Sequence, residues 1–465
     1  MSESPDRTSD PLRRRVESEI EELGDPEAAP PLPAATLTAQ AAAASLDAQA
    51  PPRPGAAAQP TAEILRLAWP VMLSAVLMNL AGLVDRAMIG RLAGSEGAAI
   101  PLAAVGYATQ FFFLIQSTLF AIGLSCVALM ARAIGVGNPA SAREALAASL
   151  QVAAAVTLVL TLVMLGIARP ALEVLGAEAL VIDTALPYLR FLVGSSLALG
   201  LSLTLDSALR ANRNMRTPML IAAVVTAVKL GGNWIFIFGN LGAPRLELVG
   251  AGLATALSQA VGLLLFVAVV LREPPGSPLA LRGSSLGASR AMRREVMRIA
   301  IPGIAERLVM NLALLAYFWV LSNTYGTVAV AAYTVGVALL SFSWIPGTGY
   351  AQACSTLVAQ FLGARDGRAA VAVGRRSAAL SVLTAIPLGV VCALAREPLA
   401  RLFTEDIRVI AELGPFMLAL AIAQPFLQLH FTLGGVHRGA GDTFTPLLAA
   451  TLGNWVFRVP LAYLF

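Results

Sequence analysis

The chain has 465 residues, of which 57% are hydrophobic and 13% are charged, and its formal net charge is +5 at pH 7. Soluble domains average roughly 45–50% apolar and about 25% charged residues, so the composition excludes a soluble globular protein and indicates a membrane protein. The three cysteines form no CxxC pair and no His/Cys cluster, which leaves no pattern for a zinc site or a disulfide framework. The positive charge is mostly Arg in short loops and does not indicate nucleic-acid binding.

The succession of polar and apolar segments along the chain predicts an all-α polytopic membrane protein. Residues 1–62 are rich in Pro, Ala, Ser and charged residues, which predicts a disordered tail. Apolar runs long enough to cross a bilayer follow in the first lobe, 63–272, near 64–91, 98–132, 141–168, 178–211, 217–240 and 246–271. After a polar, Arg-rich linker at 273–294, the second lobe, 295–465, carries further runs near 295–323, 328–362, 370–396, 407–438 and 445–465.

The two lobes repeat each other in sequence. The block from Arg66 to Pro70 recurs from Arg298 to Pro302, an offset of 232 (302 − 70). A later block, which ends in Thr-Pro at Pro218, recurs at Pro446 with an offset of 228 (446 − 218). Duplicated membrane bundles are typical of transporters, whose sites lie where the repeats meet. We therefore expect two pseudo-symmetric six-helix lobes.

The sixth predicted span has no counterpart after Phe465. The alternatives are a truncated chain and an eleven-span variant, and we favour truncation, because a missing helix would expose the packing surface of the second lobe. Arginines concentrate in the linker and in the loops on its side of the membrane. The positive-inside rule then places the tail and the linker in the cytoplasm, in a multi-pass protein of the plasma (inner) membrane.

Two charged residues interrupt apolar spans of the first lobe. Asp85 lies in the first span, where a carboxylate is costly unless it faces the bundle interior or water; its alternative is a local pair with Arg86. Lys229, the single lysine of the chain, lies in the fifth span. A buried ammonium needs a partner, although a lysine can also reach an interface with its charged end.

Several segments together resemble the multidrug and toxic compound extrusion (MATE) family, from about Ile64 to the C-terminus. They are Gly82–Asp85, Ala131–Asn138, Leu209–Ala211 with Thr217-Pro218, Asn233–Gly239, and Arg438–Asp442 with Thr445-Pro446. The resemblance is closer to the DinF-like than to the NorM-like pattern, because the stretch from Phe426 to Leu429 lacks the carboxylate of the latter. It implies a V-shaped, monomeric antiporter that exports small organic, often cationic compounds in exchange for H⁺ or Na⁺, without another cofactor.

The resemblance also implies site residues. Asp85 matches the cation-coupling carboxylate of the first lobe, and we expect Lys229 to pair with it and compete with the incoming ion. Further cation-coupling candidates are Asn233, Thr255 and Glu306, with Na⁺ binding at Asp85 left open. The substrate cavity is expected to include Gln116, Tyr317, Trp344 and Gln428.

Other function classes fit the sequence less well. A lipid-linked oligosaccharide flippase of a related superfamily is the main alternative, but it predicts more than twelve helices and a cavity ringed by Arg. An intramembrane transferase would need clustered Asp or His at one membrane face, and the sequence has no such cluster. A membrane scaffold would give Asp85 and Lys229 no purpose. We therefore predict a transporter and no enzymatic activity.

Overall fold

A computed structural model describes residues 60–90, 99–174, 177–281, 287–401 and 407–464. All regular structure within these ranges is helical. The predicted tail lies outside them apart from its last three residues, and the predicted linker is described on both sides of 282–286.

The first lobe, or N-lobe, contains seven helices that make the six predicted spans. They are α1 Pro60–Gly90, α2 Ala99–Val136, α3 Pro139–Val174, α4 Ala179–Gly194, α5 Ser196–Ala211, α6 Arg216–Phe238 and α7 Glu247–Leu271. The fourth predicted span is divided between α4 and α5 at Ser195, whose hydroxyl donates to the carbonyl of Leu192 over 2.8 Å. This bond takes up one of the carbonyls near the end of α4.

The second lobe, or C-lobe, is built from less regular helices. They are α8 Arg290–Ser343, α9 Ile345–Gly363, α10 Gly367–Leu394, α11 Arg396–Arg401, α12 Ile407–Gly439, α13 Phe444–Thr451 and α14 Val459–Leu464, with a π-helical segment at Leu452–Arg458 between the last two. Ser289 caps α8 by accepting a hydrogen bond from the Met292 amide over 3.1 Å, the usual role of serine at a helix N-terminus.

Helix α8 folds back on itself. Its 54 consecutive residues are all helical. A single straight helix is nevertheless excluded, because the rings of Tyr317 and Tyr333 lie 5.0 Å apart. Residues separated by 16 positions on a straight helix would lie about 24 Å apart along the axis, which is further than two tyrosine side chains can bridge. The chain therefore reverses between the two tyrosines, where the sequence predicted the break between its seventh and eighth spans.

Nine helices of the described ranges are long and apolar enough to cross a membrane, compared with eleven predicted spans. The two that fall short are the eighth and the eleventh. The eighth is shared between the second leg of α8 and the short α9, and the eleventh is divided among α13, the π-helical segment and α14. Neither therefore forms one long apolar helix, although both predicted segments are helical.

Candidate functional site

Helices α1 and α6 bring two charged residues together inside the N-lobe. The Lys229 ammonium (Nζ) lies 3.1 Å from the Asp85 carboxylate (Oδ2), so the expected contact is present. The two side chains are 15% exposed for Asp85 and 24% for Lys229, so water reaches the pair only partly. Asn233 lies one helical turn after Lys229 on the same face of α6, and its amide (Nδ2) donates to the other carboxylate oxygen, Oδ1.

One oxygen of this cluster has no partner. The Asn233 carbonyl (Oδ1) is fully buried and accepts no hydrogen bond within the described residues. A buried unsatisfied acceptor is costly, and it lies on the amide that contacts the carboxylate. The cluster thus offers carboxylate and amide oxygens together, which are the ligands that a hard cation prefers. The side chain of Arg86, the alternative partner of Asp85, lies outside the described part.

Tyr188 of α4 is a buried residue near this cluster that the sequence analysis did not single out. It lies within electrostatic range of Asp85. Its ring packs closely on α7, where a Cβ added at Gly252 would lie 3.1 Å from Tyr188 Cδ2. Thr255, on the same α7, is buried and donates to the Ala251 carbonyl over 2.9 Å, so its hydroxyl is engaged within its own helix. Its role in cation coupling stays a prediction.

The C-lobe carries a related pair without the carboxylate. Tyr317 occupies the position of Asp85 in the repeat (85 + 232), and the guanidinium carbon of Arg458 lies 4.7 Å from the centre of its ring. Arg458 also donates to the Tyr333 hydroxyl over 2.7 Å. A cation over an aromatic face is a favourable contact, so here the aromatic ring takes the place of the acid.

The π-helical segment explains why the sequence did not reveal Arg458. The offset of 228 in this part of the repeat aligns Lys229 with Phe457, one residue before Arg458. A π-turn holds one more residue than an α-turn, and the segment Leu452–Arg458 lies between the aligned Thr-Pro turn and this position. The extra residue moves Arg458 into the position that corresponds to Lys229, so the C-lobe has a charged counterpart of Lys229 that a constant offset does not reveal.

Glu306 of α8 is paired with Arg438 near the end of α12. The Arg438 Nη2 donates to Glu306 Oε1 over 2.6 Å, and the side chains are 11% and 4% exposed, respectively. Glu306, a cation-coupling candidate from the sequence, is thus held by a contact between two helices. An opposite charge already occupies this carboxylate, so a cation would have to displace Arg438 to bind there.

The residues predicted for the substrate cavity lie in different environments. Gln116 is half-buried on α2. Trp344 lies at the bend between α8 and α9, 37% exposed, with its ring centre 6.0 Å from that of Phe431. Gln428 is fully buried and donates to the Ser343 carbonyl at the same bend, so it stabilises the turn between the two helices. Their contact with a substrate stays a prediction.

Comparison with known proteins places the chain in a family. The MatE family profile matches residues 70–235 and, a second time, residues 302–464. The chain belongs to the MatE family. The two matches begin 232 residues apart (302 − 70), which is the offset found in the sequence, so the repeat is a property of the family fold.

Several named relatives align with most of this MatE chain. A protein called probable multidrug resistance protein NorM, from Thermotoga maritima, is 27% identical over 406 residues, which cover 86% of this chain and 84% of the relative. The uncharacterized transporter YisQ from Bacillus subtilis is 23% identical over 88% of both. One relative is a transporter by name and the other a multidrug resistance protein, and the MatE chain is a multi-pass membrane transporter and not an enzyme.

Solved structures share the fold. A MOP superfamily transporter from Pyrococcus furiosus superposes with a TM-score of 0.81 at 22% sequence identity over 88% of each chain. A MATE structure in complex with MaD3S gives a TM-score of 0.80 at 21% identity over 88% of each chain. The all-α, two-lobed V of the MATE transporters is therefore the fold of this chain.

The two lobes of this MatE protein meet closely at the Arg-rich ends of α2 and α9. A Cβ added at Gly135 would lie 2.0 Å from the Gln360 carbonyl oxygen, and one added at Gly363 would lie 2.2 Å from the Arg132 carbonyl oxygen. Both distances are too short for a real contact, so glycine is required at both positions. The backbones of the two helices thus touch at this end of the molecule.

Arg213, in the turn between α5 and α6, reinforces the same junction. Its Nη1 lies 2.6 Å from Glu63 Oε1 of α1, and its Nε donates to Gln360 Oε1 of α9. Gln360 in turn donates to the Ala211 carbonyl over 2.7 Å. Burial lowers the pKa of the Arg213 guanidinium, while Glu63 acts in the opposite direction. Arg213 also holds φ at 59°, a strained conformation for a residue with a side chain. We call these three residues, Glu63, Arg213 and Gln360, the closing cluster.

Proposed function

We propose that the protein is a cation-coupled multidrug efflux antiporter, in which Asp85 binds the coupling ion. The observation that carries this proposal is the Asp85–Lys229 pair, an acid and its own counter-ion within apolar spans of a transporter fold. Ionisable residues inside membrane spans are rare because they are costly, and they mark ion pathways. The names of the relatives support organic compounds as the cargo.

Lys229 acts in this proposal as a built-in competitor of the ion. In the described arrangement its ammonium occupies one carboxylate oxygen of Asp85, and the Asn233 amide occupies the other. A proton that binds Asp85 neutralises the carboxylate and removes the attraction that holds Lys229. The bond between α1 and α6 is then weakened, and this change is coupled to the movement of the lobes.

Sodium is a second candidate for the coupling ion at Asp85, where it would be carried inward in exchange for the exported compound. The Asp85 carboxylate and the unsatisfied Asn233 carbonyl supply oxygen ligands of the type that hard cations prefer. Sodium would have to displace the Lys229 ammonium, since two cations would otherwise share one carboxylate. Both ions therefore bind by the same competition, and the choice between them is one of affinity.

The N-lobe is the better ion-binding half. Glu306 of the C-lobe is neutralised by Arg438, and the position that corresponds to Asp85 is Tyr317 beside Arg458. A C-lobe sodium site of the NorM-like kind would need two free carboxylates, and this arrangement offers none among the described residues. We therefore propose the DinF-like pattern of coupling, although the relative from Thermotoga maritima is called NorM.

The closing cluster would be the inner gate of the alternating-access cycle. By the positive-inside rule, the Arg-rich ends of the helices face the cytoplasm. The closing cluster then lies on the cytoplasmic side of the plasma (inner) membrane. With the lobes joined there, cargo cannot leave toward the cytoplasm. The cycle requires these contacts to break when the transporter turns inward.

The experiment that tests this function is efflux from proteoliposomes under separate gradients. The purified chain is reconstituted, and transport of a fluorescent organic cation is followed under an imposed H⁺ gradient, an imposed Na⁺ gradient, or neither. We expect one gradient to accelerate transport and the other to have no effect. Equal rates in all three conditions would contradict ion coupling.

A further inference from the structure

A cavity in the C-lobe lies beside the buried ion pair of Glu306 and Arg438. Its volume is about 210 Å³, and α8, α12 and α13 form its walls. The polar lining includes Glu306, Arg307, His430 and Arg438, and the apolar lining includes Met310 and Phe431. We call it the basic pocket. The sequence analysis proposed a cation at one of its residues, Glu306.

The charges that line the basic pocket do not balance. Glu306 and Arg438 neutralise each other over 2.6 Å, which leaves Arg307 as an excess positive charge. Arg307 makes no hydrogen bond and no salt bridge within the part of the chain that the structure describes. A guanidinium inside a membrane span is costly without a partner, so the pocket lacks a negative charge.

The direction of Arg307 connects the pocket with the other lobe. Its guanidinium carbon lies 5.2 Å from the ring centre of Phe120, a residue of α2 in the N-lobe. A charged group that reaches from α8 to α2 lies where the two lobes face each other, which is where transporters built from repeats bind their cargo. Arg307 is therefore placed to meet a transported compound.

A second unsatisfied donor points to the same type of ligand. The Nε of Arg438 is buried and has no hydrogen-bond acceptor within the described residues. The pocket thus holds two guanidinium groups with unused N–H donors, whose single carboxylate is already occupied. Guanidinium groups bind carboxylate and phosphate oxygens with paired hydrogen bonds, and an anionic ligand would satisfy both.

The size and lining of the pocket favour an organic anion. A volume of about 210 Å³ exceeds the roughly 30 Å³ that one water molecule occupies in the liquid, so a small inorganic ion would leave it mostly empty. Met310 and Phe431 offer apolar and aromatic surface, against which a ring can pack. The combination matches an aromatic compound that carries an acidic group.

We propose that the basic pocket binds an anionic oxygen group, such as a carboxylate, on the transported compound, and that Arg307 determines this specificity. This inference rests on the proposed function for the identity of the ligand as cargo. It concerns the residues by which the C-lobe recognises an acidic group on such a compound. Arg458, whose guanidinium lies over the Tyr317 ring, gives the same half of the molecule a further positive charge.

The test compares a dye that carries a carboxylate with its methyl ester, which lacks the negative charge. A rhodamine with a free carboxylate and its methyl ester are titrated against the purified full chain in detergent, without any ion gradient, and binding is followed by fluorescence anisotropy. A charge-assisted hydrogen bond contributes enough to favour the acid roughly tenfold or more. We expect Arg307→Gln to abolish this preference and Arg307→Lys to retain part of it.

Arg298→Gln is the matched control, because Arg298 lies on the same helix but is exposed and paired with Glu295. It should leave the preference for the acid unchanged. Equal affinity of the wild-type protein for both dyes would overturn the proposal without any variant, so a folding defect in Arg307→Gln cannot hide the answer. An unchanged preference in folded Arg307→Gln would overturn it as well.

A lipid headgroup or an inorganic anion in the basic pocket would each give a different experimental result. If phosphatidylglycerol raises the melting temperature of the wild-type protein but not of Arg307→Gln, while the dyes bind equally, the ligand is a lipid headgroup and the proposal is wrong. The same result with sodium chloride would assign the pocket to an inorganic anion and also overturn it. Because binding is measured without a gradient, a failure of ion coupling leaves this test unaffected, and the two proposals can fail separately.

Discussion

The Lys229 ammonium lies 3.1 Å from the Asp85 carboxylate, across the contact between α1 and α6. Each residue is the reason that the other is tolerated, since an unpaired charge in an apolar span is far more costly than a pair. Such a pair contributes little net stability compared with apolar residues of similar size. Its presence in a transporter is therefore better explained by a reaction that breaks and remakes it.

Replacing Lys229 by glutamine removes the competitor and leaves Asp85 with the Asn233 amide alone. We expect the coupling ion to bind more tightly, by roughly tenfold or more, because an adjacent cation no longer opposes it. Release of the ion then becomes slow, and gradient-driven efflux falls. The measurement is the ion concentration for half-maximal efflux in proteoliposomes. A variant with an unchanged half-maximal concentration would remove Lys229 from the competition.

Much of the N-lobe site could be predicted from the sequence because its parts are local. Asp85 and Lys229 are charged residues inside apolar runs, and Asn233 follows Lys229 by one helical turn. The duplication fixed the relation between the spans of the two lobes. Tyr188 could not be identified in this way, because a tyrosine in an apolar run is equally consistent with packing, and only its burial within electrostatic range of Asp85 marks it.

The C-lobe was harder to predict for two physical reasons. Arg438 reaches Glu306 of α8 from near the end of α12. A contact between side chains 132 positions apart cannot be predicted from the spacing of residues within one helix. Arg458 is shifted by one residue because of the π-helical segment Leu452–Arg458, so a constant offset aligns the wrong residue with Lys229. Irregular helix geometry is not visible in hydropathy.

Removing Arg213 should open the closing cluster. Arg213→Ala deletes the bonds to Glu63 and Gln360, and we expect the lobes to separate more often at this end. The measurement is maleimide labelling of Thr356→Cys, a position whose hydroxyl donates to the Arg210 carbonyl across the junction. The native cysteines Cys126, Cys354 and Cys392 are buried and are replaced by alanine in both proteins.

Labelling of Thr356→Cys should be several-fold faster in Arg213→Ala than with Arg213 present. Arg169→Ala is the control, because it removes an exposed salt bridge with Asp183 that lies outside the junction. If Arg213→Ala labels no faster than this control, Arg213 does not hold the lobes together.

Gly135→Ala tests the close approach of α2 and α9. The new Cβ would lie 2.0 Å from the Gln360 carbonyl oxygen, so the two backbones must separate. Overpacking of this kind typically costs about 1–3 kcal/mol, and the melting temperature in detergent should fall. Gly166→Ala is the matched control, because nothing lies within 4 Å of a Cβ at Gly166. Equal melting temperatures of the two variants would show that the helices are not in contact at Gly135.

The central claim is that Asp85 couples the ion to transport, and Asp85→Asn tests it most directly. The amide resembles the carboxylate in shape but carries no negative charge and does not take up a proton near neutral pH. The control is Asp183→Asn, an exposed carboxylate paired with Arg169. In proteoliposomes we measure dye transport driven by an ion gradient beside dye exchange without a gradient. We predict that Asp85→Asn loses gradient-driven transport and retains exchange, while Asp183→Asn retains both. Gradient-driven transport at the wild-type rate in Asp85→Asn would contradict the account.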